Sequence, residues 1–492
     1  MVDAWQVDPA DNVATLLREV AVGDRVALAS GSMIACSEIP RGHKLALVPI
    51  ASGAVIVKYG FPIGIARRAI SPGEHVHVHN VVTALSGTDA YRFSGTPSAG
   101  MPVGSSLCFN GYVRSDGRVG TRNEIWILPT VGCVARTAQR IAARGHASHA
   151  DRVDGVHAFV HPFGCSQLGD DLAGTRRILA ALACHPNAGG VLIIGLGCES
   201  NQLGALIAEI PQDRRAAIRT MIAQQSPDEI AEGEVHVSAL VAQAVQPREA
   251  VGLDKLVVGV KCGGSDGFSG LTANPLVGRM SDSVAGAGGQ VLLTEIPEIF
   301  GAEHLLMNRA RDKAVFDRAG NMVKDYKRYF LAHGEPVSEN PSPGNVAGGI
   351  TTLEEKSLGA VQKGGNAPLV DAIGYGEQVN QPGLTLLEAP GNDAVSSTAL
   401  AAAGATMILF TTGRGTPLGA PVPTLKIASN TALTAAKPGW IDFNAGAVLE
   451  GSMDQAADAL LALIIAVASG EPTAAERNDE REMAIWKRGV TL

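Results

Sequence analysis

The chain has 492 residues, 46% of them apolar and only 18% charged. That is enough to fill large cores in about two to four domains. A net charge of −8, 4% aromatic residues and no long basic run exclude a nucleic-acid or anionic-membrane partner. Seven cysteines at 36, 108, 133, 165, 184, 198 and 262 form no CxxC pair. A disulfide framework or zinc ribbon is therefore excluded, and a reduced, cytoplasmic setting is expected.

The first twenty residues, with four acids and one base, read as neither a secretory nor a transit peptide. Residues 1–93 read as a small β-rich domain. The runs DRVALAS, HKLALVPI, AVIVKYG and EHVHVHNVVT are short, rich in β-branched residues and punctuated by Gly and Pro. Residues 94–107, opening with SGTPSAGMPVGSS, read as a linker. Beyond it the texture changes to strand–turn–helix units, divided into an α/β domain over 108–250 and a C-terminal α/β domain over 251–492. EIWILPTVGC precedes a predicted helix, VARTAQRIAARG, and GGVLIIGLGC, LVVGVKCGG, GGQVLLTEIP, GLTLLEAPGND and ATMILFTTGRG follow as apolar strands with polar tips. The fold class is α/β, with a mostly parallel, Rossmann-like sheet covered by helices. In such sheets ligands sit beyond the carboxyl ends of the strands. The apolar stretch ALLALIIAVASG is too short to span a bilayer and reads as a core helix.

Three groups of residues at these tips could carry chemistry. Cys133, Cys198 and Cys262 each end an apolar strand, and parallel neighbours would bring their tips to one edge. Cys165 follows another apolar-aromatic run, four residues after His161. Buried thiols serving as small hydrophobes are one reading, and thiolate ligation of iron or an iron–sulfur cluster is the other. On a strand, His75, His77 and His79 would share one face. That face is either solvated, or it is a metal- or substrate-contacting wall presented to the large domain. Glu295, Glu298, Glu303 and His304 lie just past another strand, Arg414 sits on a Gly-rich tip suited to a carboxylate, and Asn345 and Lys356 flank a glycine pair. Each alone suits a surface salt bridge, and together they outline an anion pocket with potential metal ligands. GLGCES at 195–200 lacks the third glycine of a dinucleotide fingerprint, which argues against a nicotinamide cofactor.

The segments GYVRSDGRVGTRNEIWILPTVGC, HPFGCSQLGDD, GLGCESNQ, KCGGSDGFSGLTANP, LTEIPEIFGAEHLL, ENPSPGNVAGGITTLEEKSLG, the run from APGNDAV to TTGRGTP, and the terminal RGVTL resemble the altronate/galactarate dehydratase family. KYGFPIGIARRAISPGEHVHVHN is similar to its small SAF-type (β-clip) domain. The likeness spans essentially the whole chain, and NEIWILPTVGC and GCSQLGDD lean toward altronate. It implies conversion of D-altronate to 2-dehydro-3-deoxy-D-gluconate in hexuronate catabolism, with iron, as Fe2+ or a cluster, or alternatively Mn2+. Cys133, Cys165, Cys198, Cys262 and Glu298 are the candidate metal ligands. His77, His79, His161 and Lys356 are the acid–base candidates. Asn80, Asn123, Ser265, Asp266 and Asn274 join Arg414 as candidate substrate contacts. A homodimer acting on a small sugar acid is expected. The competing readings are a dehydratase for galactarate or another sugar acid, and a non-catalytic sugar-acid-binding protein.

Overall fold

The computed structural model describes residues 2–85, 91–93, 104 and 106–491. The expected linker thus lies outside the described residues apart from Gly104, Ser106 and Leu107. Among the described residues no helix is long and apolar enough to cross a membrane.

The N-terminal part is built from short antiparallel strands. One sheet orders Ala4–Trp5, Val13–Leu16, Lys44–Ala46 and His75–Val76, and a second orders Val55–Lys58, Phe61–Ala66 and Val81–Val82. Val13, Leu45, Ile56, Ile63 and Val76 fill its interior. The expected histidine strand stops early: pairing ends at Val76, and His77–Asn80 form a turn. Asn80 makes that turn, accepting from the His77 N–H and donating to the His75 carbonyl, both at 2.9 Å.

Two parallel sheets follow. The first comprises β1 (Glu124–Pro129), β2 (Gly155–Ala158), β3 (Ala188–Gly195) and β4 (Ile218–Ile222), in the order β2-β1-β3-β4. The second comprises β5 (Val257–Cys262), β6 (Gln290–Leu293), β7 (Leu369–Ile373), β8 (Gly383–Leu387), β9 (Met407–Thr412), β10 (Thr424–Ala428) and β11 (Phe443–Asn444). Its order is β7-β8-β6-β5-β9-β10-β11. Helices cover both sheets, which is why their strands are apolar without alternation. The helix expected after EIWILPTVGC runs Ala135–His149, and the apolar stretch near the C-terminus is the helix Met453–Ala468, whose Leu460, Ile464 and Val467 are buried. The sheets meet near their amino-terminal edges, where Thr121 Oγ1 (2.8 Å) and Asn187 Nδ2 (3.0 Å) both donate to the Thr406 carbonyl.

Strands after β5 add first on one side, through β6 and β8, and then on the other, through β9 and β10. The direction of winding therefore reverses between β5 and β9. A crevice opens at such a reversal, beyond the carboxyl ends of the two strands.

Candidate active site at the domain seam

The tips of β5 and β9 are stitched together: the Gly413 and Arg414 N–H groups donate to the Gly264 carbonyl at 3.1 and 3.0 Å. Asp266 lies below them, buried, accepting from Ser269 Oγ, Ser429 Oγ and Asn430 Nδ2. Burial raises its pKa, and these donors oppose the rise. Asn274 donates to the Gly359 carbonyl and accepts from Thr411 Oγ1, while Asn345 donates to the Ser265 carbonyl. Ser265, Asp266, Asn274 and Lys356 line a narrow cavity, closed from above by Lys58 and Tyr59 of the N-terminal domain. Arg414, just past the tip of β9, is exposed and donates to the Gly344 carbonyl.

Beside this cavity lies a buried charge network. Glu298 pairs with Lys356 (2.9 Å), Glu295 pairs with Lys261 (3.0 Å), and Lys363 donates to Cys262 Sγ at 3.0 Å. Cys262, Glu295 and Glu298 are close enough to share an ion, but three ammonium groups already neutralise them. Burial pushes the Cys262 thiol up to about 12, so it stays protonated. Without an ion, Cys262 and Glu298, both expected as metal ligands, sit in a lysine–carboxylate network. Burial alone would lower Lys356, but the Glu298 carboxylate outweighs it and raises its pKa. Lys356, one of the acid–base candidates, is held here as an ammonium group. It also donates to Asn340 Oδ1 at 2.8 Å.

The N-terminal domain is docked through charge and through glycine. Glu355 accepts from Lys44 Nζ (2.8 Å), Lys58 Nζ (2.9 Å), the Thr351 N–H (2.8 Å) and Thr351 Oγ1 (2.7 Å), all buried. Burial alone would raise the Glu355 carboxyl, but the two ammonium groups hold it far below the usual carboxylate range. Around this triad the backbones touch. A Cβ on Gly267 would lie 2.0 Å from the Gly42 carbonyl oxygen, one on Gly349 2.3 Å from the same atom, and one on Gly270 2.3 Å from the Tyr59 hydroxyl. Only glycine permits this approach.

The seam places imidazoles over the sheet edge. His43 Nδ1 and His75 Nε2 share a hydrogen bond (3.1 Å), His43 Nε2 donates to the Ala347 carbonyl (3.3 Å), and His75 and His77 stack at 5.2 Å. Burial lowers all three, His75 to about 3 and His77 to about 4, so each is neutral at pH 7. Their ring nitrogens lie within 4.8 Å of one another. His77 Nδ1 is buried without a hydrogen-bond partner in the structure. Neutral, clustered nitrogens of this kind suit a divalent cation. His79 is exposed on the same turn, its ring 5.3 Å from that of His75. A groove lined by Pro297, Phe330, Asn340, Ser342, Val346 and Ala347 runs alongside.

Other expected site residues lie elsewhere. Cys133 and Cys198 follow β1 and β3 of the first sheet, not the sheet of Cys262, so the three thiols do not share an edge. Cys165 follows β2. His161 has both nitrogens engaged, Nε2 donating to the Pro129 carbonyl and Nδ1 accepting from the Phe163 N–H, with burial lowering it to about 4. It shapes the Cys165 loop and is not free for acid–base work. Asn123 lies at the amino end of β1, bonded to Arg114 and the Ala244 carbonyl, far from any strand tip. His43, Lys44, Lys58, Tyr59, Glu355 and Lys363 were not singled out from sequence. For the lysines the signal is a charge inside an apolar strand run, as in VIVK and HKLAL.

A small β domain clamped over the switch point of a parallel sheet, with buried cations and neutral imidazoles at the seam, defines a two-part α/β enzyme. Three family models match in succession: the altronate/galactarate dehydratase SAF domain over residues 3–84, the D-galactarate dehydratase/altronate hydrolase second domain over 111–245, and the D-galactarate/altronate dehydratase C-terminal region over 253–491. The chain is 49% identical to altronate dehydratase of Escherichia coli and 46% identical to that of Bacillus subtilis, each over 99% of both chains. It is 33% identical to galactarate dehydratase (L-threo-forming) of Escherichia coli over 95% of this chain and 92% of that one. The protein belongs to the altronate/galactarate dehydratase family.

Proposed function

We propose that the chain dehydrates D-altronate to 2-dehydro-3-deoxy-D-gluconate at the domain seam. The observation that carries this reading is full-length likeness to two altronate dehydratases, joined to a cavity lined by Lys356 and Asp266 together with Lys58 and Tyr59 of the N-terminal domain. Elimination of water requires removal of a weakly acidic C2 proton and departure of hydroxide from C3. The Arg414 guanidinium suits the carboxylate. The protonated Lys356 suits the leaving hydroxyl as acid, and His79 is the imidazole outside the cation set that takes the C2 proton. His43, His75 and His77 would hold a divalent cation, ferrous iron or Mn2+, which when bound polarises the carboxylate and hydroxyl. The seven cysteines without a CxxC pair fit a cytoplasmic enzyme, and light scattering checks the expected homodimer.

The test is a specificity comparison under anaerobic, iron-supplied conditions with a thiol present. D-altronate should be turned over with kcat/KM well above that for galactarate. Equal or higher values on galactarate would overturn the substrate, and ligand binding without turnover would overturn the enzyme reading.

A further inference from the structure

Lys356 is saturated. An ammonium carries three N–H groups, and all of them are engaged: by Glu298 Oε1 (2.9 Å), Asn340 Oδ1 (2.8 Å) and Asn345 Oδ1 (3.2 Å). No donor is left for a sugar hydroxyl. The cavity beside it is closed as well. Its volume is about 10 Å³, and a single water needs roughly 10–15 Å³, so a sugar acid does not fit. The neighbouring groove, at about 760 Å³, lies within the roughly 300–1,000 Å³ usual for small-molecule sites. Asn340 lines that groove and Lys356 lines the cavity, so the hydrogen bond between them spans the partition.

One wall of the cavity has to yield, and the walls differ in what holds them. On the N-terminal side, Lys44 and Lys58 are tied to Glu355 at 2.8 and 2.9 Å. Moving that wall would part buried charges. On the groove side the chain is held lightly. Among the described residues, two hydrogen bonds hold residues 336–341. The Glu339 N–H donates to the Pro336 carbonyl (3.3 Å) inside the loop, and Lys356 Nζ donates to Asn340 Oδ1. Pro336 and Pro341 have no N–H to offer. Val337 is buried, and the Ser342 N–H is fixed to Asn345 Oδ1 (3.2 Å), so residues 338–341 run between two anchored points.

The three acceptors on Lys356 differ in the same way. Glu298 is a buried carboxylate, and parting it from the ammonium would leave both charges unpaired. Asn345 is buried too, its oxygen shared with Ser342 Oγ (2.9 Å) and its amide donated to the Ser265 carbonyl (2.8 Å). Asn340 is half-buried, and among the described residues its side chain bonds to Lys356 alone. Asn340 is the replaceable partner.

We propose that residues 338–341 are a flap latched by Asn340 to Lys356, and that a hydroxyl of the sugar acid replaces Asn340 Oδ1 on the ammonium when the flap lifts. Groove and cavity then become one site. No bond to hydrogen breaks in this exchange: one oxygen acceptor leaves Nζ and another takes its place. Asn340 is a positioning residue, acting through Lys356. The inference rests on Lys356 meeting a substrate hydroxyl, as proposed above, and not on which sugar acid carries it.

The test measures kcat and KM for wild type, Asn340→Ala and Asn340→Asp. The substrate is D-altronate, or whichever sugar acid the wild-type enzyme turns over, so a wrong substrate and a wrong latch are told apart. Asn340→Ala removes a competitor for the ammonium, and KM should fall about tenfold, the scale of a hydrogen bond to a charged group. Asn340→Asp strengthens the latch, and KM should rise by at least as much. Raised salt separates contact from distant charge: repulsion between the new carboxylate and an anionic substrate would be screened, whereas a tighter latch would persist. A higher KM in Asn340→Ala would make Asn340 a substrate contact and overturn the latch. So would an unchanged KM in both variants, or an Asn340→Asp defect that vanishes with salt.

Discussion

Glu355→Gln tests what holds the N-terminal domain in place. The substitution keeps the shape of the side chain and one acceptor oxygen, but removes the carboxylate bonded to both Lys44 and Lys58. Both ammonium groups are sealed from water, at 0% and 2% side-chain exposure, so solvent cannot take over from the lost charge. Removing one partner from a buried ion pair costs about 3–5 kcal/mol, a large part of the roughly 5–15 kcal/mol that holds a typical domain folded. Urea unfolding at neutral pH should show a loss of that size. Hydrogen exchange should accelerate first across Lys44–Ala46 and Val55–Lys58. A triple variant, Lys44→Met with Lys58→Met and Glu355→Gln, should recover much of the loss, because no uncompensated charge then remains buried. A loss below about 1 kcal/mol, the size expected of an exposed pair, would refute the argument. So would a triple variant no better than the single.

Gly270→Ala should destabilise the seam by about 1–3 kcal/mol through overpacking, and Tyr59→Phe in the same chain should restore part of it, since the clash is with the Tyr59 hydroxyl; urea midpoints decide. The Glu355 carboxyl is depressed in the folded state, so its contribution is complete above its ordinary pKa of 4.5 and is lost as pH falls below it. Wild-type stability should therefore drop steeply on acidification below that value, and the Glu355→Gln profile should be flatter. His77→Ala should lower kcat by ~100-fold or more through loss of the cation it would help hold with far-UV dichroism unchanged, and turnover near wild type would remove the imidazole set from the reaction. Chelator should abolish activity and ferrous iron with thiol should restore it; full activity after exhaustive chelation would remove the cation.

The strand–turn–helix order was legible because parallel strands buried on both faces are unbroken apolar runs, and EIWILP, GGVLIIG and MILFTT all became strands. Strand order was not legible, since pairing between distant segments leaves no local trace. Cys262 therefore went with Cys133 and Cys198 until the two sheets separated them. The HVHVH alternation suggested a strand by period alone. Asn80 overrode it by closing a turn with its own side chain. The buried Lys44 and Lys58 were visible only as charges interrupting apolar runs, and their shared partner Glu355 lies roughly three hundred residues away, where LEEKSLG reads as an ordinary polar helix face.

The Gly42, Gly267 and Gly349 contact also governs molecular traffic. Backbone lies against backbone there, which leaves no side chain to swing aside and admit a sugar acid. That wall is shut at any temperature at which the domain stays docked. On the other flank a groove reaches Asn340, a partner of Lys356, and Ala347, a partner of His43. Entry from that flank presents one end of the polyol chain to lysine and imidazole together. Bulk placed at Val346 or Phe330 would then act as a turnstile, slowing exchange of the sugar acid without touching the groups that hold it.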